Sequence, residues 1–243
     1  MLKKSGLILA LLISTALFAY NPIREVNIAP TIAVSGNLNH TILQKIKKQL
    51  LEGDFDSSLS EEALNHGISG YLSLIQEGLI APNKPLTIID FSLPSTSKRL
   101  WTIDPEKSTI LHHTYVAHGR NSGNLMATKF SNTNSSFMSS LGFYLTAETY
   151  YGKHGYSLRL DGLEKGLNDN ARDRAIVIHG AEYANPEFIK KTGRLGRSLG
   201  CPALPMNDFE DIINTIKNES CLFIYAPQKS YLSNSQLLAK AKP

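Results

Sequence analysis

Cysteine is scarce in this sequence: Cys201 and Cys221 are the only two among 243 residues. That excludes a small scaffold knitted by disulfides, which packs many cysteines into a far shorter chain. A strong charge of one sign is also missing. The formal net charge is +4, and setting aside the N-terminal Lys3 and Lys4 leaves 23 Lys+Arg against 21 Asp+Glu. So small a basic excess argues against nucleic acid as the main partner. Beyond residue 19 no run is long and apolar enough to cross a bilayer. Metal-site spacing is absent too: if "HHTYVAH" is a strand, His112 and His118 share a face but lie about 20 Å apart. "GRLGRSLG" lacks the lysine and the following helix of a phosphate loop. No pair of catalytic carboxylates is readable, and neither metal nor cofactor is expected.

Hydrophobic residues make up 42% of the chain and charged residues 19%, enough for a real core. The N-terminus reads as a targeting segment. Lys3 and Lys4 precede the uncharged run "LILALLISTALFA", and Ala19 is the expected cleavage residue. Leu17 stands where a small residue favours cleavage, so an uncleaved anchor is the alternative. The expected address is periplasmic or secreted, with no membrane attachment after signal cleavage.

Residues 20–37, with Pro22 and Pro30, read as an extended lead-in. "NHTILQKIKKQLLEG" is a first helix candidate. "SLSEEALNHGISGYLSLIQEGLIAPN" is a second, capped by Ser60, with Ala63, Leu64, Ile68, Tyr71, Leu72 and Ile75 as its apolar stripe. After Pro85 the pattern changes to short β-branched and aromatic runs: "LTIIDFS", "RLWTID", "STILHHTYVAH", "SLGFYLTAETYYGKHGYSLRLDG", "RAIVIHG" and "CLFIYAP". "NPEFIKKTG" is at most a short helix. "NDFEDIINTIKN" is a firm one, with Asn207 and Glu210 spaced as a capping box. Residues 229–243 look like a solvated tail. The expected organisation is a signal peptide over 1–19, a lead-in and helices over 20–84, a β-rich domain over 85–228 and the tail. Most strand runs are not separated by helices, so a parallel α/β sheet is disfavoured.

The segment "GRSLGCPALP" carries the chemistry. A cysteine nucleophile needs thiolate character, a base, access and donors for an oxyanion. Gly200 permits a sharp turn and Pro202 keeps Cys201 out of a helix interior. Arg194 and Arg197 add positive charge, which favours a thiolate and attracts carboxylates. The competing reading is a disulfide from Cys201 to Cys221, although "SCLFIYAP" looks like a buried strand in which cysteine is a small inert hydrophobe. A base is offered by His179, at the end of the apolar strand "AIVIHG", where Gly180 would open space beside it. Ser198 stands three residues before the cysteine and is placed to orient the imidazole. His118, in "VAHGRNSG", also ends an apolar strand before a glycine, and local pattern alone does not rank it against His179.

"IHG" followed by "SLGCPALP" resembles the signature of the murein L,D-transpeptidase catalytic-domain family, the YkuD-like cysteine enzymes. "LTIIDFSLPSTSKRLWTID", "VAHGRNSG", "ATKFSNT", "SSLGFYLTAETYYGKHGYSLRLDGLEKGLND" and "GRLGRSLGCPALP" extend the resemblance over about residues 60–228. Pro202 and Ala203 stand where many members carry arginine or asparagine, so detailed substrate contacts do not transfer. The resemblance implies a mainly β, sandwich-like catalytic domain after a small helical region. It places the nucleophile on Cys201, the base on His179 and the motif serine and glycine on Ser198 and Gly200. The implied partners are peptidoglycan stem peptides, with carbapenem-type inhibitors acylating the same cysteine. The implied reaction expels D-alanine from a tetrapeptide stem and forms a 3–3 crosslink, or, with water as acceptor, is that of an L,D-carboxypeptidase. His118, Arg120, Asn121, Lys129, Tyr144, Lys153, Tyr156, Arg172, Arg174, Arg194 and Arg197 are candidates for contacting stem carboxylates or shaping the cleft, with His118 and Arg197 ahead of the rest; His118, Arg197, Arg194, Arg120 and Gly180 are the expected substrate contacts. Two other readings stand beside it: a papain-like endopeptidase, and a non-catalytic wall-binding module with its two cysteines paired.

Overall fold

The computed structural model describes residues 58–240 and, before them, positions 44, 45 and 48, which are helical. The targeting segment, the lead-in and most of the first helix candidate lie outside the described residues. No described helix is long and apolar enough to cross a membrane.

The mainly β architecture expected from the sequence is what forms. Eight strands are present among the described residues: β1 (Leu86–Asp90), β2 (Leu100–Asp104), β3 (Thr109–Thr114), β4 (Gly142–Gly152), β5 (Gly155–Gly162), β6 (Val177–Gly180), β7 (Ala203–Leu204) and β8 (Cys221–Tyr225). They make one sheet in the order β3-β2-β1-β8-β4-β5-β6-β7. Pairing is antiparallel except at β1–β8 and β6–β7. β1 and β8 are buried at every position, as their unbroken apolar runs require when both sheet faces are covered. Phe143 of β4 and Phe223 of β8 stack with centroids 4.2 Å apart.

The two edges of the sheet are brought together. Past β3 the chain runs on to Ala117, whose N–H donates to Ala203 O of β7 at 2.8 Å. Gly119 then bridges Ser198, with Ser198 N–H on His118 O at 3.0 Å and Arg120 N–H on Ser198 O at 2.8 Å. The sheet therefore rolls into a barrel-like form, and these bonds satisfy edge groups that water would otherwise have to serve.

Helix α1 (Glu61–Gln76) lies against β1 and β8. Ser60 is its N-cap, accepting from Ala63 N–H at 3.1 Å, with Glu61 and Glu62 in the first turn. The Ser60 N–H donates to the buried Asp90 carboxylate at 3.1 Å, which fastens the helix start to the end of β1. The expected stripe is buried from Ala63 to Leu72, with Ile75 packed against it.

Helix α2 (Pro186–Thr192) follows a 3-10 turn and ends on Gly193 in the left-handed region, φ 77°. Helix α3 (Phe209–Ile216) buries Phe209, Ile212, Ile213 and Ile216. The capping box expected from Asn207 and Glu210 does not form. Asp208 occupies the N-cap, and its carboxylate is taken by the Thr114 hydroxyl instead of the helix N–H groups.

The C-terminal stretch also differs from expectation. It forms α4 (Lys229–Asn234) and α5 (Gln236–Lys240), and Tyr231, Leu237 and Leu238 are buried. The anchor is Glu164, a buried carboxylate that accepts from Phe143 N–H at 2.9 Å, Tyr231 O–H at 3.0 Å and the Ser235 hydroxyl. Burial raises the pKa of this carboxyl. A stretch polar on average reads as a tail, yet three apolar contacts and one buried acceptor dock it. Deleting residues 229–243 removes two of those donors and uncovers the apolar contacts. A loss of melting temperature on the order of 10 °C is expected by calorimetry, against no change for a solvated tail.

Candidate active site

Strand β6 ends at His179 and Gly180, and β7 runs parallel to it with His179 opposite Ala203 and Gly180 opposite Leu204. Cys201 enters two residues before Ala203. Parallel pairing keeps opposed residues on the same face, so His179 and Ala203 share one. Cys201 and His179 both line one hollow of about 310 Å³, with Tyr150, Lys153, His154, Arg174, Tyr183, Arg197 and Leu199 around them. Among the described residues no Asp or Glu lines it. A second, larger hollow of about 450 Å³ lies between His112, Glu187, Asp208 and Asp211. It holds no cysteine, and His112 Nε2 is engaged by Thr215 Oγ1 at 2.9 Å, so the thiol chemistry belongs to the smaller one.

Cys201 is a free thiol, half-buried, and its Sγ lies 3.7 Å from Ala175 O. Burial raises its pKa above the ordinary value, partly opposed by the Val177 N–H and the charges of Arg174 and Lys153. The resting thiol is therefore protonated, and a base must take its proton. The cations acting on the sulfur are not the expected Arg194 and Arg197. Arg194 turns back to donate to Leu195 O at 2.6 Å. Arg197 reaches the mouth of the hollow, exposed, and donates to Gly123 O at 3.1 Å.

His179 is only 2% exposed. Its Nδ1 lies 2.9 Å from Gly180 O, and a carbonyl only accepts, so Nδ1 carries the proton and Nε2 the lone pair. Burial holds its pKa below the ordinary 6.5, with the neighbouring His154 and Lys153 adding to the effect. The imidazole is neutral at pH 7 in the tautomer a base requires. His154 stacks on it with centroids 4.3 Å apart.

Ser198 does not orient this imidazole as expected. Its hydroxyl donates to Cys201 O at 2.6 Å and accepts from Gly200 N–H at 3.0 Å, shaping the cysteine loop from within. Gly200 sits at φ 127°, and a Cβ there would lie 2.8 Å from Met138 O, so the turn accepts no side chain. Gly180 opens no space for a substrate. Its missing side chain makes room for the Phe209 ring, which a Cβ would approach to 2.7 Å. Its contribution to the site is its carbonyl.

His118, expected as a substrate contact and as a rival for the base, is completely buried and does not line the hollow that holds Cys201. Its Nδ1 accepts from Arg99 Nη2 at 2.8 Å, and its ring meets Phe91 edge-on. Burial, then the Arg99 charge, pushes its pKa down to about 3. Arg99, which the sequence does not single out, is itself fully buried and donates to Val116 O at 2.8 Å and Leu93 O at 2.9 Å. Arg120 lies over the Phe137 ring at 4.2 Å, away from the hollow. Arg174 lines it but is shared among Met138 O at 2.6 Å, Ser131 O at 2.7 Å and Ser140 Oγ at 2.8 Å. His154 and Tyr183 line it unannounced. "GKHGY" carries a hairpin-turn signal, but pairing the tip of one hairpin with the end of β6 needs the sheet.

Cys221 is buried on β8, with β4, β5 and β6 between it and β7, and both thiols are free. The paired-cysteine module is thereby overturned. A thiol reagent should titrate one cysteine in the folded protein and none in Cys201→Ala, with Cys221 appearing only on unfolding. For His118, the folded state binds its proton only near pH 3, whereas the unfolded chain binds it near the ordinary 6.5. Stability from this group is complete above about 6.5 and falls as pH drops from there toward about 3. In thermal melts His118→Gln should start less stable at pH 7 and show a shallower fall over that window.

Residues 56–225 match a family described as the L,D-transpeptidase catalytic domain. No curated protein matches the chain. Among solved structures it is similar to an L,D-transpeptidase from Mycobacterium smegmatis, at 12% identity and TM-score 0.36 over 59% of each chain. It is also similar to one from Stackebrandtia nassauensis, at 10% identity and TM-score 0.37 over 77% of this chain and 92% of that one. A third is LdtMt1 in complex with imipenem, at 9% identity and TM-score 0.36 over 58% of each chain. The chain matches 59% of the length of the first of these.

Proposed function

Because this chain belongs to the L,D-transpeptidase catalytic-domain family, we propose that it is an exported enzyme that rebuilds peptidoglycan stem peptides through a thioester on Cys201. The observation that carries the reading is the shared hollow: a protonated thiol and a neutral imidazole whose Nδ1 is tied to Gly180 O, ringed by cations and lacking carboxylates. A tetrapeptide stem is acidic, with a free terminal carboxylate on its D-alanine. Lys153 and Arg197 are the cations open to solvent at that hollow and suit such a group.

The steps follow from the proton positions. His179 Nε2 takes the proton of Cys201 Sγ as sulfur adds to the carbonyl carbon of the third stem residue. The oxyanion forms beside the backbone of the cysteine loop, where the Gly200 N–H is already occupied by Ser198 and the Cys201 N–H is the donor next to the sulfur. Collapse breaks the C–N bond, and the imidazolium gives its proton to the leaving D-alanine amine. An acceptor amine then adds to the thioester, loses its proton to His179, and expels the sulfur, which recovers that proton. The product is a 3–3 crosslink. The same hollow suits carbapenem-type inhibitors, which present a strained acyl carbonyl beside a carboxylate.

Incubation with disaccharide tetrapeptide, followed by mass analysis, should give dimer with loss of one D-alanine. Accumulation of tripeptide without dimer would assign water as the acceptor. Cys201→Ala and His179→Ala should each lose at least about 10³-fold in turnover while melting like the parent. The pH profile of kcat/KM should be broad. Its acid limb belongs below 6.5, since burial lowers His179, and its alkaline limb above 9.0, since burial raises Cys201.

A further inference from the structure

The β4–β5 hairpin closes with the two-residue turn Lys153–His154 between the paired Gly152 and Gly155. The turn hangs at the mouth of the hollow rather than in bulk solvent. His154 is itself exposed, yet its ring lies on His179 at 4.3 Å between centroids and 19° between planes. His179 has one hydrogen bond, from Nδ1 to Gly180 O. The covalent attachment at Cγ and that bond at Nδ1 fix two points of the ring, so a turn about Cβ–Cγ must break the bond. A flat partner on its face makes that turn costlier and keeps water off. His154 is that partner.

We propose that His154 is a positioning residue for the base: stacked on His179, it sets the plane in which Nε2 meets Cys201 and shields that face from solvent. The proposal rests on the reading of His179 as the base for Cys201, and not on the identity of the substrate. The charged and titratable groups around the pair are Lys153 on the same turn, Tyr150 on β4, Arg174 ahead of β6, Cys201 and Arg197 on the loop before β7, and Tyr183 across the hollow. Among the described residues none of these is a carboxylate, so no anion at the hollow stabilises an imidazolium on either ring. Both histidines have lowered pKa values in keeping with this. The stack is thus one of two neutral rings at pH 7, and shielding opposes protonation of the base.

The test is the rate of iodoacetamide alkylation of Cys201 across pH, which needs no stem peptide. It uses the full chain and its His154→Ala, His154→Phe and His179→Ala variants, with melting temperatures measured alongside. His154→Ala should react about tenfold more slowly at pH 7, and its acid limb should move to higher pH because a water-exposed imidazole is more easily protonated. His154→Phe keeps a flat ring and should recover to within about twofold of the parent. A parent-like rate and limb in His154→Ala overturns the proposal. So does a His154→Phe as slow as His154→Ala, since shielding by a ring would then not be the role. A parent-like His179→Ala would remove the base and this proposal with it. Normal alkylation behaviour in a protein inactive on stem peptides would overturn the substrate reading and leave this one standing.

Discussion

The position of the sulfur depends on a short stretch of backbone pairing between opposite edges of the sheet. Ala117, His118 and Arg120, just past β3, bond to Ala203 and Ser198, on either side of Cys201. Without that pairing β7 is two residues held only by β6, too little to fix a loop. The stretch is itself held by Arg99, whose buried guanidinium takes Val116 O and His118 Nδ1 together. Burial pulls the pKa of that arginine down to about 9, so it still carries its charge at pH 7, and its donors meet carbonyl oxygens and a ring nitrogen rather than a carboxylate. A buried cation so arranged orients several backbone groups at once, and the cysteine loop inherits their order.

From this frame follows the electrostatic character of the site. Burial acts on both Cys201 and His179 in the direction of neutrality: it raises the thiol and lowers the imidazole. The resting pair is therefore uncharged. The cations at the hollow are divided in use. Arg174 is spent on holding the 131–140 segment, while Lys153 and Arg197 reach the opening. The mouth therefore carries a positive field with no carboxylate among its described lining residues to neutralise it.

Much of this was legible in the residues. Cys201 stands out because glycine and proline flank it in a polar loop, and His179 because an apolar strand ends on it. The turn at Gly200 needs its glycine, as read. What failed did so for identifiable reasons. His118 has the same local signature as His179, yet a fully buried arginine lies against it and none lies against the other. Ser198 was placed by its spacing toward the imidazole, but a hydroxyl in a tight loop meets backbone two and three residues on before it meets anything distant. Gly180 read as open space because a missing side chain looks alike whether a substrate or a phenylalanine fills the gap. The C-terminal tail read as solvated because its few apolar residues form no strong period, and only Glu164 and the α1 surface give them a place.

By itself the sequence determined the class of the fold, through alternating and unbroken apolar runs, and it singled out Cys201 and His179, through the kinds of residue that surround them, as the pair the fold brings to one hollow. Those are local properties, set by backbone preference and burial period within a few positions. Which histidine shares a hollow with the thiol, which arginines reach that hollow's mouth, and which ring stacks on His179 were decided only by the tertiary structure. Each depends on residues tens of positions apart meeting across a rolled sheet, and hydrogen bonds and desolvation act through space rather than along the chain.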